Sequence, residues 1–236
     1  MFRPTLRKMT VFNIEIVSDT VCPWCYVGKQ QMDKAIKAYR ELHPDSKDSF
    51  HTTWMPFYLN PAAPKIGVDK IEFYNSKFGE DRVGVLFERL SQVGKDAGIH
   101  FKFGGKTGNT RTSHRLIQLG KTKSPAMQTR VVEELFRLYF ENEGDITSLA
   151  AIAQAGIKAG LPEVEVKEWL ESEKGGPEVD REVEAARVSG VSGVPNFTVN
   201  GKFEVGGAQD PGVFLRVFER IKAGEKGQVE KGTVCG

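Results

Sequence analysis

Two cysteines separated by Pro23 and Trp24 sit where a strand pattern gives way to a helix pattern, and few folds place a Cys-x-x-Cys at such a junction. Val11 to Val17 alternates, with Phe12, Ile14 and Ile16 on one face, as a half-buried strand requires. After the second cysteine a helix is predicted from about Tyr26, with Met32, Ala35, Ile36 and Tyr39 at helical spacing. Two thiols three residues apart can pass between dithiol and disulfide with little backbone movement. The same four residues are also half of a zinc site, and it is the flanking strand and helix that favour the redox reading. A structural zinc site takes about four ligands. The other candidates are Cys235 and the histidines 43, 51, 100 and 114, which form no second close pair, so no metal is expected.

The pattern then changes along the chain. Thr52 to Leu59 is aromatic and β-branched and reads as a second strand, with Pro56 at an edge or bulge. Strand, helix, strand makes a βαβ unit. From about Pro61 to Ser189 helical stripes dominate, including Leu86, Leu90, Val93 and Ala97, and then Val131, Leu135, Phe136, Leu138 and Tyr139. Asp145 is placed as a helix cap, Gly160 as a stop, and Pro162 and Pro177 as first-turn prolines of short helices. The sole extended piece expected in this region is Ile99 to Phe103. Asn196–Val199 and Lys202–Val205 flank Asn200-Gly201, the strongest short hairpin signal, because both turn positions need positive φ. Asp210-Pro211 then opens a last helix with Phe214, Val217, Phe218 and Ile221 inward. The expected organisation is a leader over 1–9, one α/β domain built from 10–60 and 190–223, a helical insertion over 61–189, and a flexible tail over 224–236.

Composition excludes several functions. The 33 basic and 31 acidic side chains are dispersed, which leaves no basic face for nucleic acid. No apolar run approaches the roughly 20 residues of a membrane span. The basic start, Met1 to Met9, lacks the apolar stretch of a secretory signal, and Met9 is itself a candidate start. The default expectation is a soluble cytoplasmic protein, with organellar targeting and a homodimeric state left open. Three cysteines are too few for a disulfide framework. Cys235 is read as an incidental thiol near the chain end, with a third redox role as the alternative.

Ser18-Asp19-Thr20-Val21-Cys22-Pro23-Trp24-Cys25-Tyr26-Val27-Gly28-Lys29 resembles the active site of the DsbA-like branch of thioredoxin-fold proteins, closest to its FrnE-like subgroup. Asn109-Thr110 with His114-Arg115-Leu116, Gly193-Val194-Pro195-Asn196-Phe197, and Gly207-Ala208-Gln209 extend the resemblance across nearly the whole chain. It implies a thioredoxin fold, βαβ plus ββα, with a large all-α insertion between the halves. The kappa-class glutathione transferases and 2-hydroxychromene-2-carboxylate isomerases share that fold but typically carry serine at the position of Cys22.

The expected activity is thiol–disulfide exchange on a protein or small molecule, with no bound cofactor and glutathione as a candidate co-substrate. At a helix N-terminus a thiol pKa falls from ~8.5 into the range ~3.5–7.5, which makes Cys22 the nucleophile. Cys25, one turn inside, is the resolving thiol and is expected to be the more buried. Pro23 suits a first turn, and Trp24 offers a flat apolar surface beside the sulfurs. The resemblance implies that Val194–Pro195 is cis, opposite the cysteines, with the Val194 backbone available to an extended substrate. Gly207, Gln209 and Asp210 end at a helix N-terminus that suits a glutathione carboxylate, or simply form a turn and a cap. His114 is read as interdomain packing or as a base for Cys25, Asp19 as a hydrogen-bonding group at the helix start or an accessory catalytic group, and Asn109 as a helix cap. The alternative function is a glutathione-dependent transferase or isomerase.

Overall fold

The computed structural model describes residues 9–225 and the backbone of 229–230. β1 (Val11–Ser18) buries Phe12, Ile14 and Ile16 on one face, as its alternation requires. It leads through a four-residue loop into α1 (Pro23–Leu42), with Cys22 at the helix start and Pro23 in the first turn, as the sequence predicts. β2 (Ser49–Pro56) returns parallel to β1, completing the βαβ unit. β5 (Asn196–Val199) and β6 (Phe203–Gly206) form the hairpin, with φ of 50° at Asn200 and 65° at Gly201. The sheet order is β2-β1-β5-β6-β7, where β7 (Val229–Glu230) runs parallel to β6. That last pair corrects the reading of everything after 224 as a flexible tail. Cys235 and residues 1–8 of the leader lie outside the described residues.

Between the two halves come β3 (Val68–Asp69), α2 (Lys70–Phe78), α3 (Glu80–Ala97), β4 (Lys106–Thr107), α4 (Arg111–Lys123), α5 (Pro125–Phe136), α6 (Leu149–Lys158), α7 (Glu163–Glu171) and α8 (Gly176–Val188). A π-helical turn, Arg137–Glu141, continues α5. α9 (Pro211–Lys222) closes the second half, capped by Asp210 Oδ1 accepting from the Gly212 amide at 2.8 Å. The insertion is not wholly helical. β3 and β4 pair antiparallel, Val68 with Thr107 and Asp69 with Lys106, while 99–103 forms no strand. Two of the expected caps also shift. Ser148, not Asp145, caps α6, and Asp145 Oδ1 instead accepts from the Thr147 amide and hydroxyl. Thr110 is the N-cap of α4, and Asn109 Oδ1 accepts from the Arg111 amide one step earlier.

Aromatic rings fill the core of the sheet domain. Phe12 stacks on Phe50 at 4.5 Å and meets Tyr39 and Phe218 edge-on at 5.2 and 5.3 Å. β2 is an edge strand, and α5 covers it. Gln128 receives the Trp54 amide at 3.0 Å and donates to the Trp54 carbonyl at 2.8 Å, so a side chain completes the ladder that a further strand would otherwise have made. Both groups are buried, and leaving them unpaired would cost about 1–3 kcal/mol each. The insertion is thereby fastened to the sheet by hydrogen bonds as well as by apolar contact.

Candidate active site

Sheet register brings the two ends of the site together. β5 runs antiparallel to β1 with Val17 opposite Asn196, so the loop leaving β1 toward Cys22 faces the residues entering β5, Val194 and Pro195. The Val194–Pro195 peptide bond is cis. Gly28, one turn into α1 beyond Cys25, lets this segment approach. A Cβ at 28 would lie 3.0 Å from Phe197 Cζ and 3.1 Å from Pro195 Cγ.

Cys22 is the N-cap of α1, with extended backbone (φ −89°, ψ 113°), and Pro23 occupies the first helical position, where no amide hydrogen is needed. The Cys22 amide donates to the Asp19 carbonyl at 3.1 Å, and the Cys25 amide donates to the Cys22 carbonyl at 3.1 Å. The two cysteines approach to 3.5 Å with no disulfide between them. The Cys22 thiol points at the Val194 carbonyl, 3.6 Å away. Both cysteines are 0% exposed, so the expected contrast in burial between them is absent. The Val194 carbonyl, from a residue itself fully buried, lies against the Cys22 thiol on the β5 side. Val21, Pro23 and Trp24 keep part of their surface open, and they mark the side from which a substrate sulfur can come.

Asp19 and His114 meet beneath this loop. Asp19 Oδ2 accepts from the Leu59 amide at 2.9 Å, and its Oδ1 lies 3.4 Å from His114 Nε2. The same Nε2 lies 3.2 Å from the Phe57 carbonyl. A carbonyl only accepts, so the imidazole proton sits on Nε2 and is shared between these two oxygens. His114 is thus engaged in joining α4 to the strand ends, while Asp19 holds Cys22 through its carbonyl and Leu59 through its carboxylate. The neighbouring residues of the insert motif do similar work. Ser113 Oγ pairs with Thr20 Oγ1 at 2.8 Å. The Arg115 guanidinium donates to the carbonyls of Trp169 (2.8 Å), Lys174 (3.0 Å), Leu170 (3.5 Å) and Ser172, satisfying the open end of α7.

Gly207, Gln209 and Asp210 are turned toward the chain itself. The Gly207 amide donates to the Pro195 carbonyl at 2.8 Å, Gln209 Nε2 donates to the Gly206 carbonyl at 2.9 Å, and Asp210 caps α9. The first of these ties the β6 end to the proline loop. All three belong to the frame of the site.

Three features escaped the sequence reading. Lys29, buried in α1, pairs with Asp33 at 2.6 Å and with Glu133 of α5. Burial opposes its charge, but the two carboxylates outweigh burial and raise its affinity for a proton. Tyr26, next to Cys25, donates to Glu141 Oε1 at 2.5 Å, and burial followed by that carboxylate pushes its phenol upward. The third feature is a cavity of about 510 Å³ beside Pro23 and Trp24, roofed by α2 and α3 and floored by Tyr139 and Thr107. The sequence signal for it is the set Phe73, Tyr74 and Phe78, which places three aromatic rings on one short helix. Among the described residues no cluster of His, Cys, Asp or Glu suits a metal ion, and no helix is long and apolar enough to cross a membrane.

This arrangement has counterparts. The protein YwbO of Bacillus subtilis (strain 168) is 28% identical over 217 residues, which cover 89% of this chain and 96% of that protein. The crystal structure of a probable DsbA oxidoreductase from Streptomyces coelicolor superposes with a TM-score of 0.80 at 25% identity, covering 94% of each chain. A 2-hydroxychromene-2-carboxylate isomerase shares the fold, with a TM-score of 0.67 at 17% identity over 89% of this chain and 95% of its own. Residues 13–219 match the DSBA-like thioredoxin domain, and the chain belongs to that family.

Proposed function

We propose that this protein is a thiol–disulfide oxidoreductase of the FrnE-like type, with Cys22 as nucleophile and Cys25 as resolving thiol. The observation that carries the reading is the pair of cysteines 3.5 Å apart, one of them the N-cap of a 20-residue helix. The first-turn amides and the helix dipole favour a thiolate at that position. That thiolate attacks one sulfur of a substrate disulfide, forms a mixed disulfide and releases the other sulfur as a thiolate. The Cys25 thiolate then attacks Cys22 sulfur, expels the second substrate thiolate and leaves the Cys22–Cys25 disulfide. Two electrons pass to the substrate, and the reverse sequence oxidises a dithiol. The net direction follows from the potential of the couple against the surrounding thiol pool.

In this reading the segment at Val194–Pro195, whose Val194 carbonyl lies 3.6 Å from the Cys22 thiol, would pair with an extended substrate peptide. Asp19, with His114 behind it, positions the loop without touching the sulfurs. We place the reaction in the cytoplasm, with glutathione as a candidate co-substrate and no bound cofactor. The test is reduction of insulin by dithiothreitol, with wild type, Cys22→Ser and Cys25→Ser. Cys22→Ser should abolish catalysis, and Cys25→Ser should accumulate a mixed disulfide detectable by mass. Equal activity of wild type and Cys22→Ser refutes the mechanism. Full glutathione-conjugating activity in Cys25→Ser, with exchange lost, would favour the transferase or isomerase reading.

A further inference from the structure

The cavity beside the dithiol has a one-sided charge. Its walls are Trp24, Phe73, Tyr74, Phe78 and Tyr139 with aliphatic neighbours, and among the described residues its only charged linings are Lys77 and Arg82, with no aspartate or glutamate. Lys77 Nζ lies over the Phe78 ring at 5.3 Å, and neither Lys77 nor Arg82 pairs with a carboxylate among the described residues. A third cation, Arg89, stacks on Trp24 with Cζ 5.5 Å from the ring centre. At about 510 Å³ the space matches a small-molecule site. Flat aromatic walls favour a ring, and two cations with no internal partner favour an acid.

We propose that this cavity is the substrate subsite of the dithiol, and that it selects small aromatic disulfides bearing an acid group. The ring would lie among Trp24, Phe73 and Phe78, its carboxylate toward Lys77 and Arg82, and its sulfur toward Cys22 past Pro23. The exchange is the one already written: the dithiol loses two electrons, the aromatic disulfide gains them, and two aromatic thiolates leave. This inference rests on the oxidoreductase reading of Cys22 and Cys25.

The experiment follows single-turnover oxidation of the reduced protein by three disulfides: dithiobis-nitrobenzoate (aromatic and anionic), dithiodipyridine (aromatic and neutral) and dithiodipropionate (anionic, without a ring). Each rate is divided by that of dithiothreitol with the same disulfide, which removes intrinsic reactivity. The normalised rate should be highest for dithiobis-nitrobenzoate. Its ratio over dithiodipyridine should fall about 5-fold to 10-fold in Lys77→Ala/Arg82→Ala and invert in the double glutamate variant. Both side chains are exposed, so the fold should survive, and circular dichroism checks it. As a second readout, Cys22→Ser should bind the unreactive probe naphthoate with quenching of indole fluorescence, and Arg82→Glu in that background should abolish it. Ratios near one in wild type, or ratios indifferent to Lys77 and Arg82, overturn the subsite while leaving the dithiol mechanism standing. Dependence on Lys77 and Arg82 for insulin but not for the aromatic diacid would assign the cavity to polypeptide and equally overturn it. Failure to react with any of the three disulfides would refute the oxidoreductase reading itself.

Discussion

Replacing Gly28 by alanine sets two effects of known size against each other at the centre of the site. Glycine inside a helix costs about 1 kcal/mol relative to alanine, so on propensity alone Gly28→Ala in α1 stabilises the protein. Packing opposes it. The new methyl would stand 3.0 Å from Phe197 Cζ, 3.3 Å from Phe197 Cε2 and 3.1 Å from Pro195 Cγ, whereas carbon atoms rest about 3.5–4.0 Å apart. Phe197 cannot retreat easily, because it is fully buried and packs edge-on against Phe214 at 4.9 Å. Overpacking of this kind costs about 1–3 kcal/mol. The balance is a net loss of about 1 kcal/mol for Gly28→Ala, and Gly28→Val should lose several. Gly84, in α3, is the matched control, since a Cβ there meets nothing within 4 Å. Gly84→Ala should therefore gain about 0.5–1 kcal/mol. Urea unfolding of the three variants gives the comparison, and insulin reduction gives a second one. The clash pushes Pro195 away from α1, so Gly28→Ala should slow exchange while Gly84→Ala should not. If Gly28→Ala stabilises as much as Gly84→Ala and exchanges disulfides at the wild-type rate, the close approach of α1 and the proline loop is wrong.

Other perturbations probe the surroundings. Lys70 is 3% exposed, and burial pulls its amine down to about 8 from 10.5 despite Glu143 and Asp69. The unfolded chain holds that proton more tightly, so the charge costs stability below pH 8 and the cost fades as pH rises from about 8 to 10.5. Lys70→Met removes the buried charge but also the donor to the Tyr139 carbonyl at 2.9 Å, and its stability relative to wild type should fall as pH rises above 8 in urea titrations. Asp48 accepts from Tyr39 Oη at 2.5 Å, from the Thr10 amide at 2.7 Å and from Lys222. Burial works against its ionisation, but Lys222 and the other donors hold its carboxyl well below the usual 3.8. Asp48→Asn should cost about 1–2 kcal/mol at neutral pH, and the difference from wild type should close as pH falls below about 4. Asp19→Asn keeps the Leu59 contact but weakens the one to His114. It should leave the fold intact and slow exchange several-fold, measured as the rate of Cys22 alkylation and of insulin reduction.

Local chemistry made much of this protein legible in its sequence. β1 alternates, Asn200-Gly201 demands two positive φ values, and Asp210-Pro211 starts a helix, because each signal depends on neighbours in the chain. Cys22 at a helix start is of the same kind. Cap choice was less legible: Asp145 and Asn109 both bond amides two residues on, and only the path of the backbone decides whether that is a cap or a turn. The β3–β4 and β6–β7 pairs were invisible, since two-residue strands have no period and their partners come from distant segments.

What the sequence by itself determined is the chemistry available: two thiols at a strand–helix junction, in a chain too poor in cysteine for a structural framework. Tertiary structure alone decided what surrounds them. The register of β5 on β1 sets the Val194 carbonyl against the Cys22 thiol, and both sulfurs are covered. The fold of α2 and α3 then builds, beside Pro23 and Trp24, a cavity lined by two cations and, among the described residues, no acid. Periodicity reports which face of an element is apolar, but burial and selectivity arise where faces from remote parts of the chain converge, and no local pattern encodes that meeting.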